Sequence, residues 1–470
     1  MQQLRILFYG DGRVDDTPGE FSFGLTDVIA FITQGLKNVV DVEISFVHRH
    51  GSYLNPIEGK NKLAWRFLAD YDEIWIFADR QENTVLGDVK TDEPYNVLDD
   101  YEQRVLREWM KNNGVMLTGD HSEPAGLAPA GVCELDHDKF VGLGAALGRY
   151  LPRAHQLRQW EGPPTYCSDG AHDNQNTVEG PDPSQLDTNL ELEMDKFPQQ
   201  LVNPSTRHEL FSWVNSAGQV VPIEFFPDHF HEGMVLAPTE TELDGDWPQG
   251  SPPPEVVASG IDKRPFAAGR VYPLVVAFDG HPVNVGRIVA DSTFHHYLNF
   301  NLRQINGRSC TGSPLPETAL AQIAQYYCNL ALWLAPKSIR EAIKIDLFFN
   351  IATSPLMQRV RGKTLEQVGN TARQVAEIQA GASNLLQILG TPSANGGVID
   401  DVLSDTFLTL ATETSLNEQP ARPTPERVLG AVVREFNEFF SQQGIRSPRD
   451  DGSIPKAEIV RRGFVRAFES

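Results

Sequence analysis

Gly114-Val115-Met116-Leu117-Thr118-Gly119-Asp120-His121 is a short apolar run that stops abruptly at two polar, reactive-type side chains. Val115–Thr118 reads as a buried strand, and Gly119-Asp120-His121 as a strand-to-helix turn. The same pattern recurs three times. Leu4–Tyr9 precedes Gly10-Asp11-Gly12-Arg13, and Glu73–Ala78 precedes Asp79-Arg80. Gly286–Ala290 precedes Asp291-Ser292-Thr293-Phe294-His295-His296. In open α/β sheets, ligands bind beyond the carboxyl ends of the strands. If the four runs are neighbouring parallel strands, Asp11, Asp79, Arg80, Asp120, His121, Asp291, His295 and His296 line one rim.

Between these runs the pattern turns helical. Leu98–Asn113 carries the strongest signal, with Asp99 as cap, Glu102 at the capping-box position and Gly114 as the stop. Leu98, Tyr101, Val105, Leu106 and Trp109 share one face of that helix. Phe21–Leu36 has helical spacing, Val39–Val47 alternates as a strand, and Leu63–Leu68 suits a short helix. Strands separated by helices predict a parallel sheet covered on both faces.

From about 122 to 270 the rhythm breaks into an insertion. It holds a helix candidate at Phe140–Tyr150, a Gly/Pro/Asp/Asn-rich tract at 161–183, a strand at Pro222–Phe226 and a surface loop at 244–254. Sheet-like runs return at Arg270–Phe278 and Gly286–Ala290, closing an α/β domain over 1–305. Residues 306–317 read as a linker, and 318–470 as an all-α domain. Its helices start near Pro316, Pro336 and Pro425. In Thr364–Leu389, the residues Val368, Val375, Ile378, Ala382, Leu385 and Leu389 keep helical 3/4 spacing.

The chain has 470 residues, too many for one ordinary domain, and its 40% apolar content is enough for real cores. No stretch approaches the ~18 apolar residues of a membrane helix, and the first residues run into a strand without a signal-peptide pattern. The four cysteines (Cys133, Cys167, Cys310, Cys328) are widely spaced, which fits reduced thiols in the cytoplasm. A formal net charge of −23 with no Lys/Arg cluster excludes nucleic acid and anionic membrane as expected partners.

Three clusters carry candidate chemistry. His121 suits substrate orientation, general base catalysis or metal binding; the structural alternative is that Asp120 caps a helix beside an ordinary polar histidine. In Asp228-His229-Phe230-His231-Glu232, an extended backbone puts His229 and His231 on one side. With Glu232 they form a candidate divalent-metal set, zinc being the natural ion; the alternative is a hydrogen-bonded loop shaping a pocket. Asp291, Ser292 or Thr293 can cap the helix expected after this strand. His295 and His296 diverge by about 100° on a helix, so one of them, His295, is the expected contact. Gly10-Asp11-Gly12 lacks the Walker lysine and the full GxGxxG, which argues against nucleotide binding. No G-x-S-x-G surrounds Ser122, and no cysteine outside the helical region sits at a strand end, so neither a serine nor a thiol nucleophile is expected.

Four segments together resemble the glutamine-amidotransferase-like superfamily, and within it the trehalose-utilisation (ThuA-like) group. They are Asn113–Ser122, Val141–Tyr150, Asp228–Gly233, and Gly286–Asp291 running on to His295-His296. The resemblance covers about residues 1–300. It implies a flavodoxin-like parallel sheet with a large insertion, ahead of the helical domain, and a small polar, carbohydrate-like substrate. Glutamine amidotransferases place a cysteine where this chain has Asp120-His121, so glutaminase chemistry is not expected.

The expectation is therefore an enzyme of hydrolytic or acid–base type working at the rim. His121, Asp120, Asp291 and His295 would be catalytic, with Asp11, Asp79, Arg80 and His296 binding substrate. The rival is a non-catalytic scaffold of the same fold, using the helical domain for self-assembly or for a protein partner.

Overall fold

The computed structural model describes residues 2–10, 14–16, 23–52, 57, 60–77, 100–118, 199–205, 208–217, 219–227, 252–262, 270–304, 317–354, 357, 363–381, 384, 425–443 and 455–469. The chain begins β1 (Gln3–Gly10), α1 (Thr26–Leu36), β2 (Asp41–His48), α2 (Trp65–Leu68), β3 (Glu73–Phe77), α3 (Asp100–Trp109) and β4 (Gly114–Thr118). Four short strands come next, β5 (Gln199–Gln200), β6 (Ser212–Val214), β7 (Val220–Pro222) and β8 (Phe225–Phe226). Then come β9 (Glu255–Asp262), β10 (Arg270–Phe278) and β11 (Ile288–Asp291). The helices after them are α4 (Asn299–Gln304), α5 (Glu317–Leu334), α6 (Lys337–Thr353), α7 (Leu365–Ala380), α8 (Pro425–Gln443) and α9 (Lys456–Glu469).

One mostly parallel seven-stranded sheet has the order β2-β1-β3-β4-β11-β10-β9. β2, β1, β3, β4 and β11 run parallel, and β10 runs antiparallel to both β11 and β9. The sheet is therefore mixed at one side, where the apolar pattern alone suggested parallel strands throughout. β9 also joins it from within the stretch expected to be insertion. The β9–β10 ladder is irregular between Pro273 and Val275, where proline has no N–H to give.

Parallel strands covered on both faces need near-continuous apolar sequence, and β3, β4 and β11 are buried throughout. Alternate residues feed two cores. Leu7, Tyr9, Ile74, Ile76, Val115 and Leu117 pack with Leu68, Leu106 and Trp109 of α2 and α3. Ile6, Phe8, Trp75, Phe77, Met116 and Val289 face the other way, into a core shared with α1 and α5. That second core continues without a break into α6, α7, α8 and α9, so the C-terminal helical region packs on the α/β part. Gly114, the residue that opens β4, lies against the Leu334 carbonyl at the end of α5, where any Cβ would collide.

The α3 surface departs from the apolar reading. Tyr101 is exposed, and the buried face is Glu102, Val105, Leu106, Trp109 and Met110. A carboxylate leads that face because Arg49 meets it. The Arg49 guanidinium bonds both Glu102 oxygens, and Leu63 N–H donates to Oε1 at 2.8 Å. Pro222–Phe226 is split between β7 and β8, in separate two-stranded ribbons. Helices do start beside Pro316, Pro336 and Pro425. α7 buries Val368 and Val375 but exposes Ile378, and stops where Gly381 takes φ +76°. The Phe140–Tyr150 segment, the 161–183 tract and residues 306–316 of the expected linker lie outside the described residues, while Glu317, the last residue of that linker, already belongs to α5.

Arg49 and Glu102 are both buried, so breaking the pair strands a charge. Glu102→Gln should cost about 3 kcal/mol or more in urea unfolding, and the apolar double variant R49M/E102L should recover most of it. Equal losses in the single and double variants would show that the packing there, and not the pair, sets the cost.

Candidate functional site

Register places the strand ends in one row. Gly10 pairs with Phe77 and Thr118 with Asp291, while Ile76 pairs with Leu117 one residue earlier. His48, at the end of β2, pairs with Gly10 and extends the row. The chain reverses direction across the sheet between β1 and β3, the topological switch point at which open α/β sheets form a crevice. Asp11, Asp79, Arg80, Asp120 and His121 come directly after this row in sequence and lie outside the described residues. His229, His231 and Glu232 do too.

Asp291 ends β11 fully buried, and three donors converge on it. Its Oδ1 is 2.6 Å from His296 Nδ1 and receives the Thr293 N–H at 3.3 Å. Its Oδ2 accepts the Tyr297 hydroxyl at 2.9 Å. Because those partners make the carboxylate an acceptor, the proton on the Nδ1 side of this contact is assigned to His296. The turn is built locally. The Thr293 side chain accepts from His295 N–H and starts a 3₁₀ turn over Phe294–Tyr297, which swings His296 and Tyr297 back toward Asp291. Of the two adjacent histidines, then, His296 meets the carboxylate. His295 packs its ring against Phe294 and Phe23, with centroids at 4.2 and 5.7 Å.

The surround is aromatic and comes from distant parts of the chain. Phe226 stands edge-on to the His296 ring at 4.6 Å, and Tyr297 meets Phe77 at 5.3 Å. Tyr327 of α5 donates its hydroxyl to the His296 carbonyl, and Tyr326 lies 3.3 Å from the Tyr297 oxygen. Burial pushes all three phenols well above their ordinary range, so they remain protonated donors. Asn299, just beyond, closes the N-terminus of α1. Its Oδ1 accepts Asp27 N–H and its Nδ2 donates to Thr26, both at 2.9 Å. Sequence reading missed these groups, as it missed His48 and Arg49 at the end of β2. A clue was present in His48-Arg49-His50, a polar triplet closing a strand as at the other rim positions.

A second titratable group lies at the opposite edge of the sheet. Arg287, ahead of β11, holds Asp279 with two bonds at 2.7 and 2.9 Å and lies over the Trp333 ring at 4.6 Å. Burial opposes the Asp279 charge, but the Arg287 guanidinium prevails and takes that carboxyl down to about 2. His208 packs on the same tryptophan at 5.3 Å, and its Nδ1 accepts the Leu210 N–H that starts a short 3₁₀ turn. Burial lowers His208 to about 4 and His281 to about 3.

No group of three or more His, Cys, Asp or Glu side chains among the described residues is placed to hold a metal ion. No helix among them is long and apolar enough to cross a membrane. Cys328 is buried in α5 against Gly35 of α1, and burial pushes its thiol up to about 12. Such a thiol is a core group, not a nucleophile. In native protein treated with a thiol reagent, peptide mass spectrometry should find Cys328 unmodified, with full labelling after denaturation. Labelling at native-state rates would mean that α5 opens.

A buried histidine that resists protonation makes the folded state lose stability in acid. Between about pH 6.5 and 4 the unfolded chain holds more protons at His208 than the folded one, so stability falls as pH falls through that window. Burial raises Glu209, which changes in the opposite sense, and the two neighbouring charges act on each other, so a His208 variant reports the histidine together with its effect on Glu209. His208→Asn keeps a capping oxygen but does not titrate. Its urea midpoint should fall less than that of the parent between pH 7 and 4.5, whereas parallel profiles would remove His208 as the cause.

No protein-family model matches the chain, and neither does any curated protein or solved structure.

Proposed function

We propose that the chain is an enzyme that performs hydrolytic, acid–base chemistry on a small polar, carbohydrate-like substrate at the carboxyl rim of its sheet. The observation that carries this reading is the Asp291–His296 pair at the end of β11. A carboxylate on Nδ1 fixes the imidazole tautomer, leaves Nε2 as the base and stabilises the imidazolium formed when Nε2 takes a proton from water or from a substrate hydroxyl. The same Nε2–H can then return the proton to a leaving group.

One further feature supports it. The five parallel strands run in the order β2-β1-β3-β4-β11, which supports a doubly wound, flavodoxin-like reading with a crevice beside β1 and β3. That order agrees with membership of the ThuA-like group of the glutamine-amidotransferase-like superfamily. In this reading Asp11, Asp79, Arg80, Asp120 and His121 complete the site from the other strand ends, with His229, His231 and Glu232 as a candidate zinc set. One observation favours the rival scaffold reading: Asp291 and His296 have no exposed surface.

The test is turnover of chromogenic glycosides, esters and amides by the wild type and by His296→Asn, whose amide keeps a donor to Asp291 but lacks the base. Turnover should fall roughly 10²- to 10⁴-fold in H296N and in Asp291→Asn, the usual worth of a positioned general base, measured at a temperature where circular dichroism shows each variant folded. Unchanged turnover in both variants would remove the pair from the chemistry. An inactive wild type that binds sugars in calorimetry would establish the scaffold reading instead.

A further inference from the structure

We infer that Tyr297 and Tyr326 are positioning residues of the Asp291–His296 pair, so that helix α5 is part of the site. This rests on the acid–base reading for its functional meaning, but its geometry stands apart from that reading. Tyr297 has one hydroxyl proton, and it goes to Asp291 Oδ2. The contact between the two phenol oxygens must therefore be donated by Tyr326. The result is a directed relay, Tyr326 to Tyr297 to Asp291, which meets the His296 Nδ1–H on the other carboxylate oxygen. In such a chain each bond polarises the next. Every proton donated to Oδ2 draws charge from Oδ1 and weakens its hold on the imidazole.

Tyr327, the neighbouring residue of α5, donates instead to the His296 carbonyl, and its ring stacks on Phe31 of α1. It anchors the backbone of the turn without touching the carboxylate. Two adjacent α5 residues thus do different things, one through the side-chain charge and one through the main chain. Phe211 and Phe226 pack against the Tyr326 ring at 5.0 Å each, fixing its hydroxyl toward Tyr297.

The Nδ1–H proton of His296 reports the strength of its bond to Asp291, and NMR of histidine-labelled, full-length protein reads it without a substrate. Tyr297→Phe removes one donor from Oδ2, so that resonance should move downfield. Tyr326→Phe should move it the same way by less. Tyr327→Phe should lower the melting temperature and leave it in place. Replacement of Tyr326 by a fluorotyrosine, a stronger donor of nearly unchanged shape, should move it upfield and keeps the test available if a phenylalanine variant does not fold. An unmoved resonance in Y297F and in the fluorotyrosine protein would reduce the phenols to core packing and overturn the inference. If a turnover assay is found, Y297F should change kcat by about tenfold with KM little altered, the scale of one hydrogen bond to a charged group. Absence of turnover in the wild type would count against the enzyme reading alone, because the resonance measures the relay directly.

Discussion

From Tyr326 to Leu334 helix α5 is buried at every position, and the rest of the structure is arranged around that requirement. Its apolar residues Ile323, Tyr327, Leu330 and Leu334 are in the large core, which the sheet and the C-terminal helices share. A helix in that position cannot leave its buried polar side chains to water, so Gln322, Tyr326, Tyr327 and Asn329 each have a protein partner. Gln322 accepts the Glu224 N–H, and the Asn329 amide donates to the carbonyls of Glu209, Leu210 and Ser212. Those bonds fasten the 209–224 stretch to the α/β layer. Burying each large side chain is worth about 1.5–3 kcal/mol, but the amides decide which segment lies where.

β11 is held at both ends by charge. Ahead of it, Arg287 spans Asp279 and the carbonyl of Trp333; at its end, Asp291 collects His296, Tyr297 and the Thr293 N–H. A strand of four residues has little ladder of its own. These anchors set its register against β4 and so set where Asp291 stands on the rim. The packing of α5 and the geometry of the candidate site are in this sense one problem, since Trp333 serves the first anchor and Tyr326 the second.

The fold was legible wherever burial leaves a continuous apolar run. β1, β3, β4 and β11 are such runs, and each was readable from a few residues. β9 was not, because Glu255-Val256-Val257-Ala258-Ser259-Gly260 mixes small and polar residues at the margin of the sheet. The direction of β10 was hidden for a different reason: an apolar strand carries no mark of parallel or antiparallel pairing. The α3 face was misjudged at Tyr101 because a charge pair with Arg49, fifty-three residues away, puts Glu102 inside. At the site, Asp291 and the His295-His296 pair were visible. Which histidine turns to the carboxylate depends on the 3₁₀ turn, and the tyrosines of α5 arrive by tertiary packing that spacing does not encode.

The pairing of β4 with β11 also orders events during synthesis. β4 is buried along its whole length, yet its partner lies about 170 residues further on, so at ribosomal rates of ~5–20 residues per second its apolar edge waits roughly ten to thirty seconds for β11. The Leu334 carbonyl that closes over Gly114 emerges later still. An unpaired, uncharged edge of that kind is a template for pairing between nascent chains. The polypeptide is thus most exposed to misassembly while the ribosome is still working, and holding β4 apart until residue 291 has emerged is a task for whatever attends the exit tunnel.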